Sequence, residues 1–143
     1  MKLYLDVNIV VDLTTNRLPW SLDAARLIEL HRRGQIEVAC AALTFPHAYY
    51  WMKKRQIEQG ESIDILSRLL QAVIILPATA DRIGGALANP LPDLEDAVQY
   101  ELAAYWQADG IVTRDRKDFR GLPIPARSAD RWLQAFVGTN KQA

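Results

Sequence analysis

The chain has 143 residues, a normal length for one folded domain. Half of the residues are hydrophobic and 24% are charged, a balance typical of globular proteins and not of disordered ones. The 17 basic and 17 acidic residues give a net charge of zero, which argues against a broad positive surface for binding nucleic acid. The single cysteine, Cys40, excludes an internal disulfide, and no apolar run has the length of a membrane span. We therefore expect a cytoplasmic protein without a membrane segment.

Short apolar segments alternate with helical patterns along the chain. Four segments have the length and composition of buried strands, and they are residues 2–5, 36–42, 73–76 and 110–113. Helices are predicted at 8–13, from Ser21 as N-cap to Gly34, from Thr44 as N-cap to Gly60, from Ser62, from Thr79, from Asp93 to about Gln107, and after Ser128. This alternation predicts an α/β fold, a three-layer α/β/α sandwich with a short central parallel sheet. Residues 1–137 are expected to form this single domain, and residues 138–143 a frayed polar tail.

Acidic residues follow two of the predicted strands at the point where each strand ends. Asp6 comes directly after the first strand, and Thr113, Arg114 and Asp115 follow the fourth. Open α/β sheets bind their ligands at the carboxyl ends of the strands, so the two aspartates share an edge if these strands are neighbours. Asp12, farther along the first helix, is predicted to lie on its outer face and is assigned no role.

Two further pairs of aspartates have a spacing of three residues. Asp93 and Asp96 begin a predicted helix, where both side chains can project from one face of the first turn. Asp93 is equally well placed as an N-cap, whereas Asp96 lies on the inward side among apolar positions. Glu95 points to a different side and is predicted to be solvated or to support the other acids. Asp115 and Asp118 form the second pair, for which a solvated turn is the alternative.

Convergence of Asp6, Asp96 and Asp115 would have an electrostatic cost. Two carboxylates about 5 Å apart repel by about 3 kcal/mol at an effective dielectric constant of 20. A site with three of them requires protons or cations, and hard oxygen ligands favour Mg²⁺ or Mn²⁺ over zinc. Because Mg²⁺ also takes phosphate oxygens as ligands, the expected substrate is a phosphate ester.

Three segments together resemble the PIN-domain family. They are Leu3-Tyr4-Leu5-Asp6-Val7-Asn8, Asp93-Leu94-Glu95-Asp96-Ala97 and Ile111-Val112-Thr113-Arg114-Asp115-Arg116-Lys117-Asp118-Phe119. The resemblance covers nearly the whole chain in order and spacing. It implies an α/β/α fold, a Mg²⁺- or Mn²⁺-dependent endoribonuclease activity on RNA, and similarity to VapC-type toxins that a cognate antitoxin protein neutralises. Members of the family commonly look dimeric, so a homodimer is expected.

The resemblance also assigns roles to individual residues. Asp6, Asp96 and Asp115 are expected to be the catalytic, metal-binding carboxylates, with Asp118 as a fourth ligand. Asn8 and Thr113 occupy positions where the family has polar residues that orient the acids or water, and Asp93 is a further candidate for the metal or its surroundings. Substrate phosphates are expected to meet Arg114, Arg116 and Lys53, contacts that position RNA without reading its sequence.

One position departs from the family pattern. Many members carry a glutamate in the helix after the second strand, but this chain has no acid between Glu37 and Glu58. His47 lies where that glutamate is expected, as a substitute ligand, a proton shuttle or a phosphate contact. The alternative is a histidine that hydrogen-bonds to the backbone near a helix start.

Two other functions remain open at this point. A non-catalytic PIN-fold protein that binds RNA or another protein would account for the missing glutamate and the zero net charge. A haloacid-dehalogenase-like phosphatase is suggested by Asp6-Val7-Asn8-Ile9-Val10, in which the first aspartate would attack phosphate. That chemistry needs an acid two residues later, and Asn8 cannot supply the proton.

Overall fold

A five-stranded parallel sheet lies at the centre of the computed structural model, which describes residues 1–142 and the side chains of residues 1–141. The strands are β1 (Lys2–Leu5), β2 (Glu37–Ala41), β3 (Ile74–Leu76), β4 (Gly110–Val112) and β5 (Ala126–Arg127). Their order across the sheet is β3-β2-β1-β4-β5, and every neighbouring pair is parallel. The predicted α/β class with a short parallel sheet is confirmed, and the two-residue strand β5 is an addition.

Seven α-helices cover the two faces of the sheet. They are α1 (Val7–Thr14), α2 (Trp20–Arg32), α3 (Thr44–Lys54), α4 (Gln59–Ala72), α5 (Ala80–Ala88), α6 (Leu94–Tyr105) and α7 (Ala129–Gln142), with a short 3₁₀ segment at Arg116–Phe119. Along β1, Leu3 and Leu5 pack with α1, α2, α3, α4 and α7, whereas Tyr4 packs with α5, α6 and the 3₁₀ segment. This alternation produces the two cores of a three-layer α/β/α sandwich. No helix in residues 1–142 is both long and apolar enough to cross a membrane.

The N-caps of α5 and α6 follow the sequence prediction, and those of α2 and α3 do not. Thr79 accepts a hydrogen bond from the amide of Arg82, and Asp93 accepts one from the amide of Asp96. Ser21 is not a cap, because its hydroxyl donates to the side chain of Asn16 and α2 has already begun at Trp20. Thr44 is buried inside the first turn of α3, whose cap position is the preceding residue.

The boundary between α3 and α4 also differs from the prediction. Helix α3 ends at Lys54, six residues before Gly60, and α4 begins at Gln59, before Ser62. The reason is local: Gln56 has a φ of 60°, which a continuing α-helix cannot accommodate. The chain therefore turns directly after Arg55, the C-cap residue of α3.

The chain adds strands to both sides of β1, first on one side and then on the other. From β1 the chain builds β2 and β3 on one side, and it then crosses to add β4 and β5 on the other side. The carboxyl ends of β1 and β4 therefore flank a topological switch point, where open α/β sheets form a ligand crevice. Leu5 pairs with Val112, so Asp6 and Thr113 emerge next to each other, as predicted for neighbouring strands.

Helix α7 is attached to β4 by Trp132. The indole Nε1 donates to the carbonyl oxygen of Ile111 at 2.9 Å, and the ring lies against Gly110. A Cβ atom at Gly110 would lie 2.0 Å from the ring, so only glycine fits at this position. The predicted frayed tail is instead the last part of α7, which continues to Gln142, while Ala143 lies outside the described residues.

Candidate functional site

Asp6 occupies the crevice at the end of β1 and is 2% exposed. Its backbone amide donates to the carbonyl oxygen of Val112, which continues the pairing of β1 with β4 for one residue. As the N-cap of α1, its Oδ1 accepts from the amide of Val7 at 2.8 Å, and its Oδ2 accepts from the hydroxyl of Thr113 at 2.8 Å. Hydrogen bonds to both of its oxygens therefore fix the orientation of the Asp6 carboxylate.

Thr113 and Asn8 connect Asp6 to Asp115. The Thr113 hydroxyl, which donates to Asp6, accepts from the backbone amide of Asp115 at 3.0 Å. The Asn8 side-chain amide donates to Asp115 Oδ2 at 3.2 Å and lies 3.4 Å from the Thr113 hydroxyl. These four residues, drawn from β1, α1 and the end of β4, form one hydrogen-bonded network.

Asp96 reaches the same crevice from the first turn of α6, where Asp93 caps the helix. Burial, together with the charges of Asp6, Asp118, Asp93 and Glu95, raises the pKa of the Asp96 carboxyl to about 7. The Asp93 carboxylate accepts a hydrogen bond from the backbone amide of Asp96 at 3.1 Å, so Asp93 is the N-cap of α6. The structure thus brings Asp96 close enough to Asp6 and Asp118 for their charges to interact.

The pKa of Asp6 responds to the same group of acids. Burial is the main reason that the pKa of Asp6 is raised to about 6; the hydrogen bonds from Thr113 and Val7 oppose this rise, and the charges of Glu95 and Asp115 add to it. We call Asp6, Glu95, Asp96, Asp115 and Asp118 the acidic cluster. The ionised form of a carboxyl whose pKa is raised by burial and by like charges is one that a nearby cation would stabilise.

The donor set of the acidic cluster suits a hard divalent cation. Mg²⁺ is usually held by one or two carboxylates and keeps several waters. Among residues 1–141 no three His, Cys, Asp or Glu side chains stand in an arrangement ready to hold a metal ion, so the carboxylates would have to close on one. A further oxygen, Asn8 Oδ1, is buried and has no hydrogen-bond partner within the described part of the chain, and it is available as a ligand or as an acceptor for metal-bound water. The oxygen donors present are therefore of the kind that Mg²⁺ or Mn²⁺ prefers, although they are not arranged around one position among residues 1–141.

Glu95 and His47 meet at the edge of the acidic cluster. His47 Nδ1 lies 3.5 Å from Glu95 Oε2, and both side chains are partly exposed. Glu95, which the sequence placed on a different side of the helix, acts on the pKa of both Asp6 and Asp96. Because α6 begins only at Leu94, Glu95 is in the first turn, where a long side chain reaches both sides of the helix start. His47, in the position of the missing glutamate, thus approaches an acid from another helix.

Asp12 does not lie on the outer face of α1, and this prediction is wrong. Its side chain is fully buried and accepts two hydrogen bonds from Arg114, at 2.6 and 3.1 Å. Asp12 lies one helical turn after Asn8, so both side chains face the end of β4. That four-residue spacing was the signal that could have revealed the pair. The Arg114 guanidinium also lies 4.7 Å from the centre of the Trp20 ring.

The remaining predicted substrate contacts lie on the surface around the crevice. Arg116 is exposed and, with Lys117 and Arg120, lines a groove of about 590 Å³ that also includes Asp115. Lys53 is exposed on α3, and Asp118 is exposed on the 3₁₀ segment. Arg114 is engaged by Asp12, which makes it a support for the Thr113–Asp115 segment in this structure.

Solved structures from bacterial toxin–antitoxin systems are similar to this chain in fold. VapBC2 from Rickettsia felis, bound to a DNA fragment from its promoter, has a TM-score of 0.68 and 18% identity, covering 90% of this chain and 98% of that one. A toxin–antitoxin complex from Klebsiella pneumoniae has a TM-score of 0.64 and 22% identity, covering 88% and 96%. VapC20 from Mycobacterium tuberculosis, a toxin that cleaves the sarcin–ricin loop, has a TM-score of 0.59 and 14% identity, covering 76% and 86%. At these identities the likeness shows the fold.

The sequence itself identifies the family. No curated protein matches the chain significantly. A family model described as PIN domain matches residues 2–117, the part of the chain that contains β1 through β4 and every member of the acidic cluster except Asp118. The protein belongs to the PIN-domain family.

Proposed function

We propose that the protein is a metal-dependent endoribonuclease that hydrolyses phosphodiester bonds of RNA with water, and that it is the toxin of a toxin–antitoxin pair. The observation that carries this proposal is the network of Asp6, Thr113, Asn8 and Asp115 facing Asp96 across the crevice. The network holds Asp6 and Asp115 in position, and the pKa of Asp96 responds to the charge of Asp6. Membership of the PIN-domain family and the VapC-like fold support a nuclease.

The chain's own residues would perform the positioning in this reaction. Asp6, Asp96 and Asp115 would hold Mg²⁺ or Mn²⁺, with Asp118 near enough to contribute charge. When bound, the metal supplies a Lewis acid for the phosphoryl oxygens and lowers the pKa of an attacking water. Attack forms a bond from the water oxygen to phosphorus, the bond from phosphorus to the leaving oxygen breaks, and the leaving oxygen takes up a proton. Thr113 and Asn8 keep the carboxylates of Asp6 and Asp115 oriented throughout.

The alternative of a haloacid-dehalogenase-like phosphatase finds no support at Asn8. The side chain of Asn8 donates its amide hydrogens to Asp115 and Thr113 and has no acidic proton for a leaving group. A non-catalytic PIN domain is the second candidate, because the metal-binding arrangement is incomplete in residues 1–141 and α3 carries His47 in place of an acid. Catalysis and metal binding must therefore be tested separately.

The decisive experiment is cleavage of a mixed single-stranded RNA pool with Mg²⁺ or Mn²⁺. We expect cleavage by the wild type and a loss of about 100-fold or more in Asp96→Asn, the size of effect seen when one charge-stabilising group is removed. Asp64→Asn is the matched control, since Asp64 is exposed on α4 away from the cluster. Equal cleavage by Asp96→Asn and the wild type, or no cleavage by either with any metal, would reject the nuclease.

Metal binding has its own readout in thermal unfolding. A cation that binds only the folded protein stabilises it by about 2.7 kcal/mol at a concentration of 100 times its Kd. We expect Mg²⁺ and Mn²⁺ to raise the Tm of the wild type and of Asp64→Asn, and to raise that of Asp96→Asn much less. An increase without RNA cleavage would favour the non-catalytic alternative.

A protein partner is expected for the toxin role. The Rickettsia felis and Klebsiella pneumoniae structures are toxin–antitoxin assemblies, which supports a cognate antitoxin here. Helices α2 and α4 carry exposed apolar side chains that a partner would cover, among them Leu22, Ile63 and Leu70. Wild-type expression should arrest growth of a bacterial host and Asp96→Asn should not. Light scattering after gel filtration tests the proposed homodimer.

A further inference from the structure

A small cavity of about 180 Å³ lies between α1 and α3, directly beside the acidic cluster. Two of its lining residues also belong to the site. Asn8 donates to Asp115, and His47 approaches Glu95. The cavity and the acidic cluster therefore adjoin each other at Asn8 and His47.

One face of α3 forms the outer wall of this cavity. His47, Trp51 and Arg55 are four residues apart, so they form a row that extends about 12 Å along the helix. The neighbouring lysines face elsewhere: Lys53 does not line the cavity, and Lys54 Nζ lies 5.5 Å from the ring of Tyr50. The row thus runs from the acidic cluster to a guanidinium at the C-terminal end of the helix.

Arg17 approaches the cavity from the loop between α1 and α2, and its backbone is fixed on both sides. Its amide donates to the carbonyl oxygen of Asp12 at 2.8 Å, and its carbonyl oxygen accepts from the amide of Ser21 at 2.9 Å. Its guanidinium lies 5.1 Å from the centre of the Trp20 ring, the same ring that Arg114 contacts at 4.7 Å. Both guanidinium groups therefore contact the same indole ring and line the same cavity.

The cavity has an excess of positive charge. Of its three arginines, Arg114 is neutralised by Asp12, whereas Arg17 and Arg55 form no ion pair with any carboxylate of residues 1–141. Trp51, 41% exposed, adds an indole surface beside them. Guanidinium groups next to an exposed aromatic ring are the combination that binds single-stranded RNA, through the phosphate and the face of a base. An acidic peptide would match the charge and leave the indole without a stacking partner.

We propose that this cavity binds the nucleotide next to the scissile phosphodiester of RNA, with Arg17 and Arg55 contacting its phosphate and Trp51 stacking on its base. The inference rests on the proposed nuclease function and adds a subsite to it. A volume of about 180 Å³ is below that of pockets that enclose a whole small-molecule ligand, about 300 Å³ or more, so the cavity holds one group of a longer chain.

The test measures binding of a labelled, mixed-sequence single-stranded RNA to the Asp96→Asn protein in Mg²⁺ over a series of salt concentrations. The double variant Arg17→Ala/Arg55→Ala should reduce the slope of log K against log salt by about 0.7, because the one phosphate that both arginines contact is then no longer neutralised, and each single variant should reduce it by part of that amount. Trp51→Ala should weaken binding about fivefold or more and leave the slope unchanged. All three side chains are exposed, so the variants should keep the parent's Tm.

Arg68→Ala is the matched control, because it removes an exposed arginine of α4 that lies outside the cavity. The proposal would be overturned if the salt slope were unchanged in both arginine variants of the cavity, or if Arg68→Ala lowered the slope by as much as they do. It would also be overturned if the parent Asp96→Asn protein did not bind RNA. Equal binding of a glutamate oligomer that also depends on Trp51 would assign the cavity to an acidic peptide instead. RNA cleavage by the wild type is measured in parallel. If the wild type cleaves RNA but the arginine variants keep the parent's slope, only the subsite is rejected. If the arginine variants lower the slope but the wild type does not cleave RNA, the nuclease function is rejected and the RNA-binding subsite is kept.

Discussion

The two halves of the acidic cluster differ in how their carboxylates are held. On the side of β1, β4 and α1, the Thr113 hydroxyl and the Asn8 amide fix Asp6 and Asp115. On the side of α6 and the 3₁₀ segment, no side-chain hydrogen bond holds the carboxylates of Asp96 and Asp118 in residues 1–141. One half is therefore preorganised, and the other half is placed only by its backbone and repelled by the first. A cation would draw the second half towards the first.

The largest expected effect comes from removing the support beneath the fixed half. Arg114→Met leaves the fully buried Asp12 carboxylate without its partner. Breaking a buried ion pair from one side costs about 3 to 5 kcal/mol, so we expect a loss of that size in the free energy of unfolding. Urea denaturation measures it. Arg116→Met, at an exposed position, should change stability by less than about 0.5 kcal/mol, and similar losses in both variants would contradict the structural role of the pair.

A smaller effect should follow from cutting the link within the fixed half. Thr113→Val removes the donor to Asp6 Oδ2 and the acceptor of the Asp115 amide. We expect a loss of about 1 to 3 kcal/mol in stability and a 10- to 100-fold lower affinity for Mn²⁺, which calorimetric titration measures. Thr113→Ser keeps the hydroxyl and should retain most of both. If Thr113→Val bound Mn²⁺ as tightly as the wild type, orientation by Thr113 would be irrelevant to the cation.

The smallest effect concerns the loosely held half and depends on pH. In the metal-free protein the pKa of Asp96 is raised to about 7, from an ordinary value near 4. The folded state therefore binds this proton more tightly than the unfolded state, so the carboxyl destabilises the fold increasingly as pH rises from about 4 to about 7. Asp96→Asn should raise Tm by a few degrees at pH 8 and leave it unchanged near pH 4. Thermal unfolding in EDTA at both pH values tests this, and an equal shift at both would reject it.

Strand ends were the part of the site that the sequence predicted best. An aspartate directly after a buried strand has a defined place once parallel strands are paired, so Asp6 and Thr113 could be expected at one edge. Burial along α1 was not predictable in the same way. Asp12 looks like an exposed acid until Arg114, distant in the chain, is found beside it. For an ion pair between residues far apart in sequence, the sequence offers little evidence. Here the only indication was that Asp12 lies on the same face of α1 as Asn8.

Local boundaries were predicted less well than the order of elements. The pattern at residues 44–60 continues through a helix end that is set by the positive φ of Gln56, a residue type without a strong preference for that conformation. Strand β5 has only two residues, too few for any periodicity. For Glu95 the sequence left open whether the side chain is solvated or supports the other acids, and in the structure its charge acts on the pKa of Asp6 and of Asp96.

Trp132 determines how much of the chain an active fragment must contain. The family match ends at residue 117, yet the indole of Trp132 bonds to β4 only two residues before Thr113 and covers Gly110. A fragment that stops after the matched region would leave β4 without this cover and without its neighbour β5. The minimal working unit therefore extends at least through the first turn of α7. Truncations and fusion junctions belong beyond that turn.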